Sequence, residues 1–343
     1  MSDFTSLAAE AAEWTEYAKT WSPPVPPAGA TPQQIREGAN RNTAKLFDTV
    51  VGRPEAGLTV TEYTVAVTES LMETETKEEV TIPVRLYRPE GTTDNATLPV
   101  YVFFHGGGYF LGSLDTEDAN CRYLALQTGV AVLNVGYRHT PEHRFPAAAD
   151  DAWAAFQWVA SEEAAKLGLD ARRVVVGGIS AGATLAISVA LRANEKQQKV
   201  AGLVLTVPAT VHPDHFPVQL IQGGIDNSSL VQNADAPFIN AARLRGFLNM
   251  YEPTPPTHAA VSPLLVDESA FRGLGSVAVH VAGRDPLRDE GLLFEQKLRA
   301  AGVATTLYTY AGLPHAFMSH PTLPSTAVWR SRMWEDVKRI AGQ

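Results

Sequence analysis

The 343-residue chain has a single cysteine, Cys121, so no internal disulfide braces it and a reducing, cytoplasmic setting is expected. No apolar run approaches the roughly 18 residues that a membrane-spanning helix needs. The first residues, Met1-Ser2-Asp3-Phe4, offer neither the basic start nor the apolar core of a targeting segment. Positive charge is scarce: 28 Lys and Arg against 37 Asp and Glu leave a formal net charge of −9. That balance repels phosphate backbones and anionic lipid, so neither nucleic acid nor a membrane is the expected partner. Charged residues make up 19% and hydrophobic residues 45%, which places the chain among folded proteins with a substantial core. The length suits one large α/β domain with insertions, or two modest domains. No internal repeat is visible.

What the chain does have is a strong focus at Val174-Val175-Val176-Gly177-Gly178-Ile179-Ser180-Ala181-Gly182. A β-branched run enters G-I-S-A-G, and an Ala-rich, helix-favouring stretch follows. In that strand-turn-helix setting the turn is sharp enough to leave Ser180 exposed above the sheet edge, and Gly178 and Gly182 remove side chains that would collide. The helix beginning after Ser180 aims its free N–H groups at any negative charge forming beside the hydroxyl. The competing reading is an ordinary glycine-rich strand-helix loop.

Around this focus the periodicity gives an ordered series. Residues 1–50 read as two helical pieces split by Pro23-Pro24-Val25-Pro26-Pro27, the second capped by Thr31-Pro32. Strands are expected at 58–67 and 80–87, joined by an acidic solvated loop at 69–79, and at 98–104. Further strands are expected at 130–135, 174–176, 201–207, 277–281 and 305–310, with helices at 147–167, 181–193, 289–301 and 326–340. Such alternation means a mostly parallel sheet with helices on both faces, an α/β fold. Residues 209–258 interrupt it. They are rich in Pro, His and aromatics and too long for a core connection, so they read as an insertion capping the site together with the 1–50 arm. The catalytic domain is then 51–208 with 259–343.

Serine needs a base. Asp285 follows the 277–281 strand, and His315 follows the last strand in Gly312-Leu313-Pro314-His315-Ala316-Phe317. Both sit at the carboxyl edge of the sheet, where ligands bind. Asp285 would orient and stabilise the imidazole, and His315 would shuttle the proton. Asp289 and Glu290 compete but open a helix. Asp267 precedes its strand, His320 is more distal, and His280 falls inside a strand. His105-Gly106-Gly107-Gly108 follows a core strand, where glycines let backbone amides approach a ligand oxygen. Two of them, with the amide of Ala181, would hold an oxyanion, and His105 would brace the loop. Tyr109 and the insertion's Phe216, Phe238, Phe247 and Tyr251 form either a substrate pocket or the cap's own core. No metal site is expected: Pro141 interrupts the His139/His143 spacing, and His212-Pro213-Asp214-His215 reads as a surface loop.

Taken together, these motifs resemble the hormone-sensitive-lipase (G-D-x-G) group of the α/β-hydrolases. The resemblance rests on His105 to Gly108, Tyr137-Arg138, Pro141-Glu142-His143, Phe145-Pro146-Ala147, the Ser180 turn, Asp285-Pro286-Leu287-Arg288-Asp289-Glu290-Gly291 and His315-Ala316-Phe317. It spans about residues 80–343. It implies a Ser180, Asp285, His315 triad, an oxyanion hole of the Gly106, Gly107 and Ala181 amides, a helical cap and no cofactor. Two positions depart from the family's G-D-S-A-G-G: Ile179 replaces the acid and Ala183 the last glycine, which bears on subgroup and substrate preference. The expected activity is hydrolysis of short- to medium-chain acyl esters through an acyl-enzyme on Ser180. Alternatives on the same fold are a lyase or dehydratase using His315 as base, a lactonase or acyltransferase for one metabolite, and a non-catalytic receptor. The expected partner is a small-molecule ester, and sheet edges or the closing helix offer surfaces for a homodimer.

Overall fold

The computed structural model describes residues 1–22, 25–72, 79–91 and 97–343. Pro23-Pro24 and residues 73–78 of the expected acidic loop lie outside the described residues. The chain runs α1 (Ala12–Ala18), α2 (Pro32–Val50), β1 (Leu58–Val67), β2 (Val80–Pro89), β3 (Leu98–Phe104), α3 (Asp118–Thr128), β4 (Ala131–Val135), α4 (Ala147–Trp158) and α5 (Glu162–Lys166). It continues through β5 (Leu169–Ile179), α6 (Ala181–Glu195), β6 (Gly202–Thr206), α7 (Ser229–Gln232), α8 (Ala241–Tyr251), β7 (Ser276–Arg284), α9 (Arg288–Ala300), β8 (Thr305–Pro314) and α10 (Pro324–Ile340).

Among the described residues eight strands form one sheet in the order β1-β2-β4-β3-β5-β6-β7-β8. The β1–β2 and β2–β4 pairs are antiparallel, and every later pair is parallel. The central parallel strands β3, β4 and β6 are buried along their whole length because both faces are covered. In β3, Val100, Val102 and Phe104 enter the core beneath α4, α6 and α9, while Tyr101 and Phe103 enter the opposite core with α3 and α10. That is the two-residue alternation of a pleated strand between two helical layers.

Two expectations are corrected. The helix expected at 147–167 is two helices, because Ser161 adopts extended backbone and its hydroxyl accepts from the Ala164 amide at 3.1 Å, starting α5 afresh. Helix α3 had no counterpart in the pattern. Its buried set includes Asp118, Asn120 and Thr128 beside Cys121 and Leu124, so polar residues occupy the face that periodicity expects to be apolar. Arg85, Arg122 and Arg53 make that burial tolerable by pairing with Asp118 at 3.0, 2.6 and 3.1 Å.

The N-terminal arm crosses the carboxyl ends of β7 and β8. Ala11 N–H donates to Gly312 O at 3.2 Å, and Glu10 pairs with Arg284. Further along, α2 begins with the capping box of Thr31 and Gln34. It docks through Arg36, which grips both Glu142 oxygens at 2.9 and 2.8 Å and Thr140 O at 2.9 Å. Between β6 and β7 the chain forms short helices, and Ser2 bridges to Ile221, joining the arm to this insertion.

Candidate active site

Ser180 stands where β5 turns into α6, at φ 56° and ψ −120°. Such backbone costs a non-glycine residue on the order of 1–3 kcal/mol, so its surroundings must enforce it. They do so by close approach. A Cβ on Gly182 would lie 2.1 Å from Phe104 O and 2.5 Å from His105 O; one on Gly178 would lie 2.5 Å from the carbonyl carbon of Gly182. Glycine at both positions is therefore steric necessity.

Register delivers the other groups. Arg284 of β7 is paired with Pro314 of β8, so the next residues, Asp285 and His315, leave the sheet side by side. His315 Nδ1 lies 2.7 Å from Asp285 Oδ2, and His315 Nε2 lies 2.9 Å from Ser180 Oγ. A carboxylate only accepts, so Nδ1 carries the ring proton and Nε2 is left to accept from the Ser180 hydroxyl. Asp285 is 1% exposed. Its other oxygen accepts from Leu287 N–H at 2.9 Å, and its backbone carbonyl accepts from Asn233 of the insertion at 3.0 Å.

The loop after β3 completes the site. His105 Nδ1 contacts Gly106 O at 2.9 Å, its ring stacks on Tyr137 with centroids 4.1 Å apart, and Tyr137 donates to His105 O at 2.8 Å. Gly107 and Gly108 take φ values of 125° and 62°, which suit glycine. Asn40 of α2 clamps this loop, accepting from Gly112 N–H at 2.9 Å and donating to Gly112 O at 2.6 Å. Among the described residues the amides of Gly106, Gly107 and Ala181 donate to no protein acceptor.

The competing residues have other partners. Asp289 pairs with Arg288 at 2.7 Å and accepts from Ser229 N–H at 2.6 Å. Glu290 accepts from Thr210 N–H at 2.6 Å, and burial pushes its carboxyl well up. Both fasten the insertion to the head of α9. Asp267 caps a short 3-10 turn at Glu268–Phe271. His280 contacts Tyr310 Oη at 2.9 Å inside the sheet. His320 contacts Tyr17 Oη at 2.7 Å, and burial pushes it down to about 4, too weak a base for work near neutrality. Burial also takes His105 to about 4 and His139 to about 3.

Two cavities meet at Ser180. The larger, about 390 Å3, is bordered by Gly106, Gly107, Ser180 and His315, by Asn40 and Leu46 of α2, and by Phe238, Phe247 and His320. The smaller, about 30 Å3, is an apolar slot among Tyr109, Ala181, Val211, Leu244, Phe247 and Leu287. Of the expected pocket aromatics, Tyr109, Phe238 and Phe247 line these spaces. Phe216 and Tyr251 do not, which corrects their placement: both are buried in the main core, Tyr251 stacked on Tyr109 at 3.8 Å. Sequence reasoning also missed Arg36 and Asn40, whose partners lie about 70 to 106 residues away and leave no local signal.

A mostly parallel sheet with a hydroxyl lifted at a strand-to-helix turn, and an acid and histidine at the same edge, is the architecture of the α/β-hydrolase class. Residues 101–319 match the family model described as an alpha/beta hydrolase fold. The chain is 35% identical over 241 residues to esterase LipI of Mycobacterium tuberculosis, covering 70% of this chain and 72% of that one. It is 34% identical over 247 residues to the ethyl acetate hydrolase of Pseudomonas putida, covering 71% and 73%. The solved structure of a hyperthermophilic esterase from the archaeon Pyrobaculum calidifontis superposes with a TM-score of 0.79 at 29% identity, covering 97% of this chain and 99% of that one. The chain belongs to the α/β-hydrolase family, among the carboxylic-ester hydrolases that resemble hormone-sensitive lipase.

Proposed function

We propose that this protein hydrolyses small esters with short acyl groups through an acyl-enzyme on Ser180. The observation that carries the reading is the unbroken contact chain from Ser180 Oγ through His315 to Asp285, at 2.9 and 2.7 Å. In this mechanism Ser180 Oγ attacks the ester carbonyl carbon while its proton passes to His315 Nε2. The amides of Gly106, Gly107 and Ala181 hold the oxyanion. As the intermediate collapses, the carbon–oxygen bond to the alcohol breaks, and His315 returns the proton to the leaving oxygen. A water deprotonated by His315 then releases the acid and restores Ser180. Asp285 keeps the imidazole in the required tautomer and stabilises its cation.

His315 also orients the substrate. It borders the larger cavity and not the slot, and it must reach the leaving oxygen, so the alcohol half occupies the larger cavity. The acyl half then enters the slot. The slot is small, about 30 Å3, and its walls are apolar, which suits a short acyl group such as acetyl or propionyl. An ethyl acetate hydrolase among the relatives fits that size.

With 4-nitrophenyl esters, kcat/KM should peak at acetate or propionate and fall by about tenfold or more at hexanoate, as a rigid pocket rejects added methylenes. A rise through hexanoate would contradict the assignment of the slot. The arm (1–50) and the 209–258 insertion form the cap in this reading, over a catalytic domain of 51–208 and 259–343. We place the protein in the cytoplasm, where the buried Cys121 would stay a thiol, and propose a homodimer through edge strand β8 and α10, which expose Leu307 and Val328.

A further inference from the structure

Glu117 is an unusual residue to find in the wall of an active-site cavity. It occupies the N-cap position of α3 but makes no capping bond, so its side chain is not retained to start the helix. The residue instead borders the larger cavity. Oε2 accepts from Asn120 Nδ2 at 3.0 Å, and among the described residues no Lys, Arg or His forms a salt bridge with it. Burial without a compensating cation pushes this carboxyl up to about 7, so near neutrality it both donates and accepts. A half-buried carboxyl that faces a cavity with one neutral partner is a group that a ligand can complete, and perturbed carboxyls concentrate at functional sites.

The neighbours narrow the ligand. Asn40 is occupied by Gly112, and Thr116 by Ser113. Glu117 Oε1 is without a protein donor among the described residues. Elsewhere the cavity presents aromatic surface from Trp21, Phe238 and His320, the rings of Trp21 and Phe238 lying 4.6 Å apart, with Asn42, Thr43 and Ser319 as further polar lining. Arg243, at the exposed rim, disfavours a cationic ligand.

We propose that Glu117 recognises a hydroxyl group on the alcohol half of the ester, so that the preferred substrates are short-chain esters of hydroxylated aromatic alcohols. The proposal rests on the ester-hydrolase reading above and on the orientation that His315 imposes. A hydroxyl matches a group that both donates and accepts. The aromatic wall supplies the contact surface for a ring.

The test uses acetate esters of 2-phenylethanol and of its three ring-hydroxylated isomers. In the wild type at least one hydroxylated isomer should exceed the unsubstituted ester in kcat/KM by about tenfold, mostly through KM, as expected for one hydrogen bond to an ionisable group. In Glu117→Leu that ratio should collapse to about one. Glu117→Gln, which keeps the shape and one acceptor, should retain an intermediate ratio and gives a second reading where the leucine variant folds poorly. Active-site titration of each variant fixes the concentration of competent enzyme. An unchanged ratio in both variants, or no preferred isomer in the wild type, overturns the proposal. Failure of the wild type to hydrolyse any of the four acetates would instead overturn the esterase reading, and the proposal with it.

Discussion

Replacing Ser180 by alanine should lower kcat/KM on acetate esters by about 10⁴- to 10⁶-fold while leaving the protein folded. The magnitude follows from removing the atom that forms the covalent bond; what survives is the smaller contribution of oxyanion donors and substrate positioning. The fold should persist because the change removes only one oxygen from a turn whose geometry is set by Gly178, Gly182 and the Ser180 N–H bond to Thr206 O at 2.8 Å. Steady-state hydrolysis of 4-nitrophenyl acetate, with circular dichroism as the fold control, measures it. A variant keeping more than a few per cent of wild-type activity would show that Ser180 is not the nucleophile, and a lyase-type use of His315 alone would become the better reading.

The second large effect lies in the backbone beneath Ser180. Gly182→Ala places a methyl 2.1 Å from Phe104 O and 2.5 Å from His105 O. Both are main-chain atoms, at the end of β3 and the start of the glycine-rich loop that follows it, so no side chain can swing aside. Either α6 or that loop must move, and each carries part of the catalytic geometry. We expect a loss of about 3 kcal/mol or more in stability and at least about 10²-fold in kcat. Gly246→Ala is the matched control: it lies exposed in α8 with nothing within 4 Å of a new Cβ. There the exchange should be neutral or stabilising by up to about 1 kcal/mol, because alanine is the better helix former. Thermal melts and kcat for the two variants check the pair. A Gly182→Ala protein as stable and active as the control would mean that the tight packing under Ser180 is not required.

Much of this site was readable because its constraints are local. A β-branched strand, a serine between two glycines and an Ala-rich helix are contiguous, and the acid and histidine each follow directly on a strand. The sheet turns that sequence order into adjacency, since parallel neighbours present their carboxyl ends at one edge. The unreadable parts depend on distant pairings. Helix α3 hides its period behind Asp118, whose burial makes sense only once Arg53 and Arg85 arrive from elsewhere in the chain to join Arg122 of the same helix. The Asn40 clamp and the hold of Asn233 on Asp285 join residues 72 and 52 positions apart. Phe216 and Tyr251 have the composition of a pocket, but only packing assigns them to the core. Ile179, in place of the family's usual acid, lines the larger cavity against Gly106, which gives that wall an apolar surface beside Ser180.

The most direct test of the central claim is covalent trapping with diethyl 4-nitrophenyl phosphate. Attack by Ser180 Oγ forms an oxygen–phosphorus bond and expels one nitrophenolate per active site. Mass spectrometry of the digested protein should place a single diethylphosphoryl group on the peptide containing Ser180, with esterase activity lost in step and no adduct in Ser180→Ala. A label on another residue, or full labelling of Ser180 with activity retained, would contradict the account.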